Sequence, residues 1–286
     1  MILVTGAAGK TGNAVIKAIA RKANVRGLVR RPEQGTALKA IGVAEVAIGS
    51  FEDPRALIAA TAGICAIYHI CPNVSSEEFR FAEAIAVAAE ANHVRRFVYH
   101  SVLHPQIEAM PHHWQKRRVE EMLFTKSFDL TILQPTAYMQ NILGAWHAGE
   151  AEGVLRIPYS IETRLSLVDL EDVAEAAALV LTDHKHVGAA YELAGTAPLS
   201  QREVADVIGG ILGKPVLLEV EPLDAWKARA SAAGMSDYAC RALIAMFRYY
   251  AQHGLIGNSN TLRWLLGRSP NDLDRLIRRS LARQAA

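Results

Sequence analysis

The sequence predicts an α/β fold, a doubly wound parallel sheet joined to a smaller, mostly helical C-terminal lobe. Three observations carry that expectation. An apolar run, Ile2-Leu3-Val4, ends in Gly6-x-x-Gly9-x-x-Gly12, and a helix-period segment follows with Ala14, Val15, Ala18 and Ile19 on one side. Short apolar runs then alternate with helical stretches as far as Leu133, the pattern of a parallel sheet covered on both faces. Past Gly144 the alternation breaks down, and from Pro222 onward helices dominate.

Each glycine of the opening turn has its own physical task. Gly6 takes the tight turn off the strand, Gly9 lets a pyrophosphate approach the backbone, and Gly12 lets the helix pack close to the sheet. Phosphates would then sit at a helix N-terminus, where unpaired N–H groups and the dipole favour an anion. An ordinary strand–helix turn is the alternative, and the position between strand and helix favours a dinucleotide site.

The second strand, Val25 to Val29, ends in Arg30-Arg31-Pro32. At this tip an acidic residue would bond the 2′-hydroxyl of NAD, whereas arginine accommodates the 2′-phosphate of NADP. Two arginines and no carboxylate stand here, and the planar guanidinium fork suits phosphate. NADP(H) is therefore the expected cofactor, solvated surface charge being the alternative reading of Arg30 and Arg31.

Pro32 to Ile41 reads as a helix with proline at its start. Val43–Ile48, Cys65–Ile70, Arg95–Ser101 and Phe128–Leu133 read as strands. Asp53-Pro54 opens a short helix, and Ser75-Ser76-Glu77-Glu78 reads as a capped start of a helix running through Ala91. Another helix is expected from Thr136. Ligands of such sheets bind beyond the carboxyl ends of the strands. The candidate cofactor contacts are accordingly Thr5, Gly6, Ala8, Gly9, Lys10, Thr11 and Gly12 on the first turn and Arg30 and Arg31 on the second tip. His69 and Cys71 follow on the fourth, Ser101 on the fifth and Pro135 on the sixth.

Further on, Val154–Ile157, Leu165–Val168, Ala189–Leu193 and Val216–Val220 read as strands. Asp169 to Leu181 reads as a helix led by acidic residues. Ser200-Gln201-Arg202-Glu203 is a capping box. The tail helix, Asn271 to Arg283, buries Leu273, Leu276, Ile277 and Leu281 by spacing. Its Arg275, Arg278, Arg279 and Arg283 read as a solvated face. Residues 1–150 are expected to form the nucleotide-binding domain, with 165–185 returning to it, and 151–286 an interleaved α+β lobe that supplies a substrate lid. Aromatic residues such as Trp226, Phe247 and Tyr250 serve that lobe either as cleft walls or as ordinary helical core.

The 286 residues are 51% hydrophobic, enough for a full core, and a net charge of +2 gives no case for nucleic-acid binding. Cys65, Cys71 and Cys240 have neither metal nor disulfide-framework spacing, so reduced thiols in a cytoplasmic protein are expected. No apolar stretch reaches the ~20 residues of a membrane span. The expected partner is a small molecule; a homodimer is left open.

Taken together, the motifs resemble the NmrA-like group of atypical short-chain dehydrogenases/reductases. The resemblance rests on the glycine turn, Leu28-Val29-Arg30-Arg31, His100-Ser101-Val102, Lys116 with Val119-Glu120, and Pro135-x-x-Tyr138-x-x-Asn141. Val168 to Ala174 and Leu266-Gly267-Arg268-Ser269-Pro270 extend it along the chain. It implies an NADPH-dependent reductase of a small apolar acceptor such as a quinone, or else a catalytically silent, redox-sensing regulator of a protein partner. It implies that Lys116 touches the nicotinamide ribose and that Tyr138 and Asn141 line the substrate space. Members of the wider superfamily use Tyr-x-x-x-Lys; here His112 holds the tyrosine position on what reads as a loop. His112 is thus either a proton donor or polar surface. Lys116 is either a ribose contact or a solvated helix lysine.

Overall fold

In the computed structural model, which describes residues 1–284, the strand–helix alternation runs as follows. β1 (Ile2–Val4) leads through α1 (Lys10–Ile19) to β2 (Val25–Val29), then α2 (Gln34–Ala40), β3 (Glu45–Ile48), α3 (Pro54–Thr61) and β4 (Ala66–His69). It continues with α4 (Glu78–Ala91), β5 (Arg96–His100), α5 (Pro111–Phe124), β6 (Asp129–Pro135), β7 (Ala137–Tyr138), α6 (Met139–Gly149), β8 (Val154–Ile157) and β9 (Leu167–Val168). The last third comprises α7 (Leu170–Thr182), β10 (Ala190–Leu193), α8 (Gln201–Leu212), β11 (Leu217–Val220), α9 (Leu223–Ala232), α10 (Asp237–His253), α11 (Ser259–Leu266) and α12 (Leu273–Gln284).

Seven strands form one sheet in the order β10-β6-β5-β4-β1-β2-β3, and the pairings from β3 through to β6 are parallel. The order steps outward from β1 in both directions, which opens a crevice beyond the carboxyl ends of β1 and β4. β4 and β5 are buried along their whole length. Such strands need apolar residues on both faces, and Phe97, Tyr99, Ile67 and Leu3 join Ile85, Ala86 and Ala89 of α4 in one core cluster.

The chain divides into two compact units. The first holds Met1–Gln106, His113–Gln134 and Val173–Tyr191; the second holds Ile107–His112, Pro135–Asp172 and Glu192–Ala286. The expected boundary near residue 150 therefore falls earlier, at Pro135, because α6 packs on β8 and α12. The returning segment begins at Val173.

Local departures from the sequence reading have local causes. Pro32 sits in the turn before α2, its carbonyl accepting from the Gly35 N–H, and the helix starts only at Gln34. α4 has Glu77 at its cap with no side-chain cap bond; the Ser75 hydroxyl accepts from the Glu77 N–H instead. The expected helix at Thr136 is preceded by β7, which pairs with β9. The capping box at Ser200 is formed as read, with the Glu203 side chain accepting from the Ser200 N–H.

In the second unit the acidic residues ahead of α7 do more than suit a helix dipole. Asp169 is fully buried and accepts from Gln140, from the Asn271 side-chain amide at 2.8 Å and from Arg279 at 2.8 Å. Asp172, equally buried, accepts from Arg268 at 2.7 Å and from the Asn271 N–H at 2.6 Å. The tail arginines are thus not a purely solvated face, since Arg279 bridges Asp169 and Glu171. Charge-assisted bonds hold Asp169 below the usual carboxylate range against the opposing effect of burial, which for Asp172 prevails and raises it. Trp226 and Cys240 form a core cluster with Phe247 packed against them, so these aromatics serve the helical core of their unit. No helix among the described residues is long and apolar enough to cross a membrane.

Candidate functional site

The opening turn has the form of an anion cradle. Gly6 adopts φ +59°, a conformation open at little cost only to glycine. A Cβ at Gly12 would lie 2.3 Å from the Gly6 carbonyl oxygen and 2.8 Å from the Ala7 Cα. The Gly9 N–H donates to the Gly6 carbonyl, and the Asn13 amide donates to the carbonyls of Ala7 and Gly9 at 2.8 and 3.0 Å. These bonds take up the carbonyls of Gly6, Ala7 and Gly9. Gly9 is the N-cap of α1, with no side-chain cap and no acidic residue in the first turn. A helix end with no side-chain cap and no repelling carboxylate fits a phosphate. Ala8, Gly9 and Lys10 are exposed and Thr11 is half-buried.

Thr5 ties the turn to its neighbour. Its hydroxyl donates to the Ile70 carbonyl at 3.1 Å, accepts from the Ile70 N–H at 2.9 Å and lies 2.9 Å from His69 Nδ1. His69 is fully buried, stacked on Tyr99 and edge-on to Phe51. Its side chain is therefore engaged inside the sheet, and what it presents at the strand tip is backbone. Cys71 is also buried, and burial followed by the Glu78 charge pushes its thiol far up. Beyond it, buried Val74 holds φ +48°, a strained conformation for a β-branched residue.

Arg30 and Arg31 stand exposed just past the end of β2, the strand paired with β1. Arg31 Nε lies 3.3 Å from Glu33, but both side chains are more than two-thirds exposed, so this ion pair holds Arg31 weakly.

At the end of β5 the polar groups are buried together. Lys116 is not a solvated helix lysine: its ammonium donates to Glu78 Oε1 at 2.8 Å and to the His100 carbonyl at 3.0 Å. Ser101 donates to Glu120, which also accepts from Gln134 at 2.9 Å. Burial raises the Glu120 carboxyl despite those bonds. α5 begins at Pro111, so His112 lies in its first turn and not on a loop. In the second unit Pro135 is buried, Tyr138 is half-buried at the cap of α6, and Asn141 is exposed.

Glu78 escaped the sequence reading because its place in a helix start reads as capping. The only available signal was a second glutamate beside Glu77.

Three histidines of the first unit are kept neutral. Burial holds His69 and His100 down to about 3, and His113 to about 4. Unfolded histidine titrates near ~6.5, so the unfolded chain binds more protons below that pH and stability falls on acidification from about 6.5 toward these lower values. Each such histidine costs up to ~1.4 kcal/mol per pH unit in that window. The thermal unfolding midpoint is expected to drop steeply between pH 6.5 and 5, as calorimetry would register; an unchanged midpoint would mean that these rings are protonated in the fold.

Glycine turn, parallel sheet and a helix start free of carboxylates together define a dinucleotide-binding Rossmann protein. The NmrA-like family model matches residues 1–282, and the chain belongs to that family. It is 32% identical over 226 residues to a (4-alkanoyl-5-oxo-2,5-dihydrofuran-3-yl)methyl phosphate reductase of Streptomyces griseus, covering 79% of this chain and 78% of that one. To an NAD(P)H azoreductase of Xenophilus azovorans it is 28% identical, over 94% of this chain and 93% of the other. Among solved structures, an NADPH-dependent quinone oxidoreductase of Escherichia coli in complex with NADPH superposes with a TM-score of 0.86 at 25% identity, covering 98% of this chain and 100% of that one.

Proposed function

We propose that this protein is an NADPH-dependent reductase that delivers hydride to a small, conjugated, electron-poor acceptor such as a quinone. The observation that carries the reading is the uncapped glycine turn beside two exposed arginines, a site for a phosphorylated dinucleotide. The similar proteins support the class, their names covering a quinone, an azo compound and a conjugated lactone. Each of these compound classes contains an electron-poor conjugated centre able to accept hydride.

NADPH, when bound, supplies the hydride. The chain's own residues hold and orient it: the turn from Gly6 to Gly12 takes the pyrophosphate, Arg30 and Arg31 take the 2′-phosphate, and Lys116 takes the nicotinamide ribose. Tyr138 and Asn141 line the acceptor's space. Positioning of this kind supplies much of the rate for an acceptor that takes hydride readily. His112, in the place of the superfamily's tyrosine, is the proton donor or else the proton comes from water. The regulator reading is not favoured, because the relatives named above are reductases.

The test is to follow NADPH absorbance with a panel of quinones, azo dyes and conjugated lactones. Consumption of one NADPH per two-electron acceptor is expected. Tight NADPH binding with no turnover on any of them would contradict the reductase reading.

A further inference from the structure

We infer that Glu78 is a positioning residue for the reaction and acts through Lys116; this inference rests on the reading of Lys116 as a cofactor contact. Glu78 opens α4, where the positive end of the helix favours a carboxylate. Its side chain is 1% exposed and that of Lys116 is 8% exposed, with 2.8 Å between Nζ and Oε1. The same oxygen accepts from the Tyr99 hydroxyl at 2.8 Å, and the ammonium lies 5.2 Å from the centre of the Tyr99 ring. Lys116 is therefore held from two elements, α4 and β5.

A buried ion pair of this kind is a poor device for stability. Desolvation of the two charges offsets most of their attraction, and a well-packed apolar pair of similar volume is often as stable or more so. The pair also leaves Glu78 Oε2 buried without a partner. Its location supplies the reason for keeping it. The lysine is fixed at the carboxyl end of β5, the side of an open parallel sheet on which ligands bind. An ammonium has three donors. Glu78 and the His100 carbonyl occupy two, and together they set the direction of the third. Without Glu78 the flexible four-carbon side chain would have one anchor instead of two, and its charge would lack a buried countercharge.

The test is a double-mutant cycle read by NADPH dissociation constants from calorimetry, with unfolding midpoints measured alongside. Glu78→Gln keeps the shape and removes the charge. In the otherwise unchanged protein it is expected to weaken NADPH binding tenfold or more. In a Lys116→Met background it is expected to change binding by less than twofold, because the residue it acts through is gone. Glu78→Asp, which keeps the charge one methylene short, is expected to fall between Glu and Gln. An equal loss in both backgrounds, or a loss below threefold in the first, would overturn the inference. If Glu78→Gln does not fold, the cycle is run with Glu78→Asp and judged by whether its loss disappears in the Lys116→Met background. NADPH binding by the unsubstituted protein separates the two readings. An additive cycle in a protein that binds NADPH removes only the role of Glu78, whereas absence of binding removes the reductase reading as well.

Discussion

Gly12→Ala is expected to abolish NADPH binding and to lower the unfolding midpoint. The added Cβ would stand 2.3 Å from the Gly6 carbonyl oxygen, 2.8 Å from the Ala7 Cα and 2.9 Å from the Ala7 carbonyl oxygen. All three are backbone atoms of the turn itself, so no side chain can rotate aside. α1 would have to move away from the turn, which separates the helix end from the loop that cradles the pyrophosphate. Overpacking of this sort costs ~1–3 kcal/mol of stability, and the displaced helix end forfeits its part in anion binding. Gly144→Ala provides the control: it lies in α6, an added Cβ meets nothing within 4 Å, and helix propensity favours alanine. Calorimetric titration with NADPH distinguishes them. Affinity within threefold of the unsubstituted protein for Gly12→Ala would mean that the turn does not hold the nucleotide.

The double replacement Arg30→Ala/Arg31→Ala is expected to weaken NADPH at least ~30-fold while leaving NADH within about twofold. Hydrogen bonds between charged partners contribute ~1.5–3 kcal/mol each, and two guanidinium groups on one phosphate suffice for that loss. Both residues are exposed, and among the described residues the ion pair formed by Arg31 goes to the equally exposed Glu33. Little folding energy is therefore at stake, and the unfolding midpoint should move by no more than a degree or two. Equal losses for the two nucleotides would show that these side chains do not read the 2′-phosphate.

What was legible in the chain is what local patterns encode. Gly6, Gly9 and Gly12 mark a turn whose geometry tolerates nothing larger at position 12, and the apolar runs mark strands because β4 and β5 are buried on both faces. The capping box at Ser200 satisfies its bonds within four residues. What was not legible depends on partners distant in sequence. Glu78 and Lys116 are 38 residues apart, and nothing near either residue announces the other. Asp169 and Asp172 read as helix-start acids, yet their partners Asn271, Arg268 and Arg279 lie about a hundred residues on. Those same contacts draw Arg279 off the solvated face that its spacing suggested. His112 read as loop because Pro111 precedes it, whereas proline here occupies the first helical position, where its missing N–H costs nothing.

The most direct measurement is calorimetric titration of the unsubstituted protein with NADPH and with NADH under the same conditions. A phosphorylated dinucleotide lying on the opening turn, with its extra phosphate between Arg30 and Arg31, predicts one-to-one binding and at least tenfold higher affinity for NADPH. Absence of heat with either nucleotide, or equal affinity for the two, would contradict it.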